Sequence, residues 1–302
     1  MGSNPIPSTF LTSTVSFEKY LREEKRLAVT TIKSKLKLIK RLNKRVNLWD
    51  HEEVERYVIN ADITNGHKNS ILYAYSDWCK FNGFDYIPKK FKRVKKLPYI
   101  PTEKEIDQLI SGTGRKTSSF LQLLKESACR PIEAWRLTPE DFDLNQQICY
   151  INKPAKGSDP RMFKMSDNLT AMVTRLIRET QPNERLWKAG LKTITRNYQR
   201  RRRTISDVLA NPNLLKISLK TFRHWKATNE YHRTKDILHV KRMLGHRRIE
   251  NTLVYTHLID FDDNDQFIVK VASTIEEFTS LLEQGFEYIS DYQDKKILRK
   301  RK

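Results

Sequence analysis

Cysteine is scarce in this chain. Cys79, Cys129 and Cys149 are the three in 302 residues, and no two form a C-x-x-C pair. That spacing excludes a disulfide framework and a structural zinc site, and it fits an intracellular chain. No apolar run is long enough to span a bilayer, and the N-terminus lacks the hydrophobic core of a signal peptide, so no membrane partner is expected. There is no phosphate-binding glycine loop, no acidic metal cluster, no internal repeat and no low-complexity block. The seven histidines form no convincing metal-ligand spacing with a cysteine or carboxylate. Acid is also in short supply: 36 Asp and Glu face 57 Lys and Arg, giving a net charge of +21 and a pI near 9.8. Such a field attracts polyanions, of which nucleic acid is the commonest soluble one. Ribosomal and membrane-surface proteins are basic too, so charge alone does not choose.

The length predicts two domains. Residues 1–13, polar with two prolines, read as a loose arm. Residues 14–84 carry four helical stripes: Phe17, Tyr20 and Leu21; Ile32, Leu36 and Ile39; Val54, Tyr57 and Val58 behind an Asp50–Glu53 capping pattern; and Ile71, Tyr75 and Trp78. The second helix is densely basic. Lys33, Lys37, Lys40, Arg41 and Lys44 fill its other faces. A solvated face is the plain reading, but the one-sided charge makes phosphate contact an equal one. In residues 85–100, Pro88 and Pro98 bracket Lys89, Lys90, Lys92, Arg93, Lys95 and Lys96. This reads as a basic linker, able to lie along a DNA backbone, and the domain boundary falls in it.

Residues 101–260 read as a second domain, mainly helical with a small hairpin. Thr102 and Glu105 form a capping box ahead of Ile106, Leu109 and Ile110, and a helix with Phe120, Leu121, Leu123 and Leu124 follows. Pro131 suits the first turn of the next helix, which leaves Arg130 at the junction. Strands at Ile148–Ile151 and 161–165 flank a turn of Pro154, Gly157, Ser158, Asp159 and Pro160, with Lys156 in the loop. Helices are expected at 167–181 and 190–209. Arg200 and Arg201 lie in the second, on a solvated or phosphate-touching face. Residues 261–302 read as a tail of strand, helix (274–284, closed by Gly285) and hairpin. Its helix has a narrow apolar face of Ile275, Phe278, Leu281 and Leu282, to be folded back on its own domain or docked on a neighbouring protomer.

The stretch from 219 to 257 organises the rest. Lys220 and Arg223 are three apart and share a helix face. Gly245 stands where a helix C-terminus wants a left-handed residue, which puts His246 in the turn beyond it. Tyr255 then falls on a new short helix. A cation pair, a histidine and a tyrosine are the groups needed to hold a phosphodiester and attack it covalently.

In order and spacing, Arg130, Lys156, Lys220-x-x-Arg223, Leu244-Gly245-His246 and Tyr255 resemble the tyrosine recombinase (integrase) family, over roughly residues 14–260. The resemblance implies a helical, SAM-like core-binding domain followed by an α+β catalytic domain. It implies that Tyr255 attacks the scissile phosphate to form a 3′-phosphotyrosyl bond, with no metal or nucleotide cofactor. Arg130 and Arg223 would each offer two donors to the non-bridging oxygens, Lys156 would protonate the leaving 5′ oxygen, and His246 would hydrogen-bond the phosphate. Glu133, one turn past Arg130, would prop the site. His224, His239 and His257 fall to packing or supporting contacts. The family often has histidine where this chain has Lys220; lysine keeps charge stabilisation but cannot act as a neutral base near pH 7. Ala128-Cys129 stands where a glycine is usual. The tail around Gly285-Phe286-Glu287-Tyr288 resembles those of archaeal integrases.

The reading that follows is a site-specific recombinase, acting as a homotetramer on double-stranded DNA in the cytoplasm, with the nucleoid. Two alternatives stand beside it: relaxation of DNA in the manner of a type IB topoisomerase, and a non-catalytic DNA-binding protein on the same scaffold.

Overall fold

The computed structural model describes residues 8–94, 97–256, 258 and 267–301, and the chain parts into two units between residues 96 and 97. Among the described residues the first unit has four helices: α1 (Ser8–Glu23), α2 (Val29–Leu42), α3 (His51–Asn60) and α4 (Asn65–Phe81). Helix α1 reaches back to Ser8, into the stretch read as an arm; residues 1–7 lie outside the described ones. Phe17 and Leu21 anchor its later turns in the core, and lengthening an anchored helix costs little.

The apolar stripes converge. Ile32, Ile39, Val54, Val58, Ile71, Tyr75 and Trp78 are all buried, at roughly 1.5–3 kcal/mol for each large aliphatic side chain. Helix α4 is central, packing on α1, α2 and α3. Asp50 accepts from the Glu53 N–H at 2.9 Å. The Glu53 carboxylate does not close the box; it accepts from the Asn47 N–H at 3.0 Å. Lys35 is held by Asp77 at 2.6 Å, whereas Lys33, Lys37, Lys40, Arg41 and Lys44 are exposed.

Residues 85–94 are not the free linker expected. Tyr86 is buried and donates to Glu55 at 3.0 Å, and Phe91 packs against the bundle. Asn69 clamps the Phe91 backbone, donating to its carbonyl at 2.9 Å and accepting from its N–H at 2.8 Å. Two aromatic anchors and an amide clamp outweigh the mutual repulsion of the cations. Glu55 also holds Lys89 at 2.6 Å; Lys90, Lys92 and Arg93 are exposed, and Lys95 and Lys96 lie outside the described residues. Tyr99 and Ile100 pack on the second unit.

The second unit runs α5 (Glu103–Ser111), α6 (Arg115–Ser127), α7 (Pro131–Trp135), β1 (Phe142–Asp143), β2 (Ile148–Ile151), β3 (Arg161–Lys164), α8 (Asp167–Ile177), α9 (Leu191–Val208), α10 (Leu219–Thr234), α11 (Ile237–Leu244) and α12 (Glu250–Leu253). Phe120, Leu121, Leu123 and Leu124 of α6 are each fully buried, and the polar Ser118, Ser119 and Gln122 beside them are buried too, because α6 is enclosed by α5, α8 and α10. The strands form an antiparallel sheet in the order β1-β2-β3, with Cys149 opposite both Phe142 and Phe163. The short β1 was not read from the sequence. Helix α8 ends four residues before 181, where the bonds tighten to turns from Glu179 N–H to the Leu176 carbonyl and from Thr180 N–H to the Ile177 carbonyl.

The last elements, β4 (Phe267–Ala272), α13 (Ile275–Glu283), β5 (Glu287–Tyr292) and β6 (Lys295–Arg301), share a small core of Ala272, Leu281, Phe286 and Leu298. β6 pairs antiparallel with both β4 and β5, so those two run parallel and α13 is their crossover. Gly285, at φ +81°, ends the helix turn. Of the apolar face read on α13, Leu281 is buried and Phe278 half-buried, while Ile275 and Leu282 are exposed. Among the described residues no helix is long and apolar enough to cross a membrane.

Candidate active site

The site starts at the turn between α6 and α7. Ala128 closes α6 in the left-handed conformation at φ 52°, where glycine is favoured. Its carbonyl accepts from Nη1 of Arg223 at 2.7 Å. For Ala128→Gly, relief of ~1–2 kcal/mol of strain opposes the entropy glycine adds to the unfolded chain and the loss of a buried methyl, ~0.4–1 and ~0.8 kcal/mol. The expected change in stability by urea denaturation is therefore within about 1 kcal/mol of zero. A larger loss would show that the methyl group, not the backbone, dominates at this turn.

Arg130 follows as the N-cap of α7, with Pro131 in the first turn. Its Nη1 donates to Glu133 at 2.9 Å, Ser158 at 2.6 Å and the Ala155 carbonyl at 3.4 Å. The Glu133 side chain has no exposed surface. It also accepts from the backbone N–H groups of Arg130 (2.8 Å) and Ala155 (3.0 Å) and from Nη2 of Arg161 (2.6 Å). Burial pushes its pKa up, but Arg161 and these N–H donors more than offset that and hold it at about 2. Glu133 thus fastens α7 to the β2–β3 loop and to β3.

Arg223, on α10, is buried and donates from Nη2 to the Leu244 carbonyl at 2.8 Å and to Nε2 of His246 at 2.9 Å. Gly245 ends α11 at φ +65°. A Cβ there would sit 2.8 Å from the Asp159 carbonyl oxygen, so both the backbone angle and the close approach of the hairpin loop require glycine. The Asp159 N–H donates to the Gly245 carbonyl at 3.1 Å. His246 completes the turn, with Nδ1 3.0 Å from Thr252 Oγ1. A guanidinium can only donate, so Nε2 of His246 is the acceptor and Nδ1 carries the ring hydrogen. Burial first, then Arg223 and Arg130, lower the His246 pKa to about 4.

Tyr255 lies two residues beyond α12 instead of within it, buried in a small cluster with Ala128, Ala227, Val240, Leu244 and Leu258. Its Oη is 3.1 Å from Nδ1 of His224. Burial raises its pKa, while Arg223 (also as a hydrogen-bond donor) and Arg130 pull it back down. The His224 pKa falls to about 4 through burial, then the charges of Lys220 and Arg223.

Arg130, Arg161 and Arg223 all act on His246 together with the single carboxylate Glu133, which leaves a surplus of two positive charges among these four groups. That surplus suits an anion with two or more oxygens. These ionisations also set a pH dependence. Both histidines titrate lower in the folded chain than their ordinary 6.5, so their stabilisation is present above pH 6.5 and is lost toward 4. Glu133 likewise stabilises above 4.5, and that contribution is lost toward 2. Urea midpoints of the DNA-free protein should fall in two stages across these windows; a flat profile from pH 6.5 to 4 would contradict the histidine assignments.

Other expected residues are less engaged. Lys156 is exposed at φ 57° in the β2–β3 loop, whose neighbouring Ala155 and Ser158 bind Arg130. Lys220 is exposed in the first turn of α10, and Arg200 and Arg201 are exposed on α9. His239 faces Glu230 at 2.9 Å, and His257 lies outside the described residues. Sequence reasoning missed Arg161. Its side chain is only 7% exposed, and Nε and Nη1 are buried without a partner among the described residues. Strand alternation was the available signal, since it puts Arg161 on the face of Phe163.

Comparison with known proteins adds the lineage. A sequence profile of the phage integrase family matches residues 101–260. The tyrosine recombinase XerA of Saccharolobus solfataricus is 24% identical over 190 residues, covering 62% of this chain and 61% of XerA. A tyrosine recombinase of Thermosipho africanus is 22% identical over 275 residues, covering 82% of this chain and 96% of its own. The chain spans about 60% of the length of several curated relatives that it matches. Among solved structures, the Tn1549 transposon integrase in complex with transposon right end DNA shares the fold. Its TM-score is 0.64 at 13% identity, covering 90% of this chain and 98% of that one.

Proposed function

The chain belongs to the phage integrase family, and from that premise we propose that it cleaves and rejoins DNA strands at specific sites through a 3′-phosphotyrosyl intermediate. The observation that carries this reading is the single cluster in which the Tyr255 phenol meets His224 and Arg223, beside a surplus of guanidinium charge. Tyr255 attacks the scissile phosphorus, and Arg130 and Arg223 neutralise charge building on the non-bridging oxygens. Lys156 gives a proton to the departing 5′ oxygen from its exposed loop. Lys220 adds positive charge, His246 orients Arg223, and Glu133 holds Arg130 in place. No metal or nucleotide takes part, because the phosphotyrosyl bond conserves the energy of the broken linkage for the rejoining 5′-hydroxyl.

The partner is double-stranded DNA carrying specific sites, engaged by a homotetramer in the cytoplasm at the nucleoid. The exposed cations Lys33, Lys37, Lys40, Arg41, Lys44, Lys90, Lys92 and Arg93 supply phosphate contacts, and Arg200 and Arg201 add to them. Lys89, Lys95 and Lys96 belong to the same basic stretch. The printed names of the relatives support this direction: tyrosine recombinases, and a transposon integrase in complex with DNA.

To test the proposal, a duplex selected by the protein from randomised DNA is nicked near its centre and incubated with it in EDTA. A covalent adduct on a denaturing gel, mapped by mass spectrometry to the peptide containing Tyr255, is the expected result. Tight binding of the selected DNA without any adduct would overturn it.

A further inference from the structure

Covalent attack by Tyr255 requires its phenol to lose a proton, and Lys220 cannot take it. A phenol of ordinary pKa near 10 is ionised to only about one part in a thousand at pH 7. Burial makes Tyr255 weaker still as an acid. The proton must therefore leave during attack, to a base already in contact.

Among the described residues, the candidate bases can be examined for a free lone pair. Lys220, exposed at the start of α10, is a cation at neutral pH and has none to offer. Arg223 only donates. His246 is the next candidate, but Nε2 is filled by the Arg223 Nη2–H at 2.9 Å and Nδ1 carries the hydrogen facing Thr252 at 3.0 Å. His224 remains. Its Nδ1 is 3.1 Å from the Tyr255 oxygen, with the ring centroids 5.8 Å apart. Arg223 and Arg130 act on the phenol through their charge and can only donate, so neither accepts its hydrogen, which is left for Nδ1. With Nδ1 accepting, Nε2 of His224 carries the ring hydrogen.

We infer that His224 is the proton acceptor for Tyr255, a catalytic role that the position of Lys220 cannot fill in this chain. The inference rests on the proposed strand cleavage. In the forward step the Tyr255 Oη–P bond forms as the P–O5′ bond breaks. The phenol proton passes to His224 Nδ1, and Lys156 delivers one to O5′. Rejoining reverses both transfers: the incoming 5′-hydroxyl returns its proton to Lys156, and His224 protonates the departing phenol. Burial and the charges of Lys220 and Arg223 lower the His224 pKa to about 4, so the ring is neutral with its Nδ1 lone pair open, but it is a weaker base than free imidazole and takes the proton only as the Oη–P bond forms. Its position immediately after Arg223 on α10 ties the base to the arginine whose charge acts on the nucleophile.

The test compares His224→Ala, His224→Asn and Lys156→Ala with the wild type on the nicked duplex, and on the same duplex with sulfur replacing the bridging 5′ oxygen at the scissile phosphate. A thiolate leaves without a proton, so sulfur should rescue Lys156→Ala. It should not rescue His224→Ala, which is expected to form adduct about 100-fold or more slowly on both substrates. His224→Asn keeps an acceptor near the Nδ1 position but no basicity, and should be equally slow. Added imidazole should partly restore His224→Ala. Cleavage by His224→Asn at the wild-type rate would reduce His224 to an orienting contact and overturn the inference. So would undiminished cleavage by His224→Ala, or its rescue by sulfur. DNA affinity and the thermal midpoint, measured for each variant, guard against a misfolded site. Those outcomes leave strand cleavage itself standing; a wild type that forms no adduct on either substrate would overturn both.

Discussion

Tyr255→Phe is expected to eliminate the covalent protein–DNA adduct, a fall on the order of 10⁴–10⁶-fold in cleavage, as when a covalent nucleophile is removed elsewhere. The substitution is nearly isosteric. Tyr255 is buried among Ala128, Ala227, Val240, Leu244 and Leu258, and a phenyl ring fills the same space. What is lost is the oxygen, and with it the contact to His224 at 3.1 Å. Losing such a hydrogen bond costs about 1 kcal/mol of stability, too little to unfold the domain. Affinity for the selected duplex should stay within a few-fold of wild type, since the arginines and lysines proposed to meet phosphate are untouched. Gel shift and denaturing gel, run on the same samples, separate the two properties. An adduct that persists in Tyr255→Phe would hand the nucleophilic role to another residue, with Tyr231, packed against the same cluster, the first to examine.

Glu133→Ala is expected to cost about 3–5 kcal/mol, the range for breaking a buried ion pair from one side. The carboxylate gathers two guanidiniums and two backbone N–H groups in a place with no exposed surface. Without it, Arg130 and Arg161 lose their counter-charge while Arg223 remains nearby. Arg161 suffers most, because Nε and Nη1 already lack partners among the described residues. For a unit of this size each kcal/mol shifts the thermal midpoint by roughly 2–4 °C, so calorimetry should read a drop of ~6–20 °C. Cleavage at a temperature where the variant is still folded should fall as well, because Arg130 is no longer oriented. A loss under 1 kcal/mol would show that the arginines find other anions or move to solvent.

Several parts of this molecule were legible because their causes are local. The stripes that became α2, α4 and α6 follow from helical period. Thr102 and Glu105 lie within one turn of each other, and their reciprocal bonds are present. The Gly245 turn follows from the stereochemistry of a helix end, and Arg130 and Glu133 meet because they are three residues apart. The tail's order of strand, helix and hairpin was readable for the same reason, punctuated by Gly285.

Other features had distant causes. Nothing in residues 85–94 announces that Asn69 will clamp Phe91 22 residues later; composition argued for a free linker and packing overruled it. Glu133 meets Arg161 across 28 residues, His224 meets Tyr255 across 31, and Arg223 meets Ala128 across 95. Ala128 shows the division most simply. The sequence flagged an alanine where glycine is usual, but only the folded chain gave it a left-handed backbone and turned its carbonyl toward Arg223.

By itself, the sequence determined the charge, the helices with their caps and stripes, and the types and order of the groups that would meet phosphate. Periodicity and stereochemistry act over a few residues, so they can be read along the chain. The tertiary structure alone decided which guanidiniums share Glu133, which histidine has its lone pair filled, and which one faces the Tyr255 phenol. Those are questions of what lies across a packed interior, and they depend on how α6, α10, α11 and the β2–β3 loop close on one another.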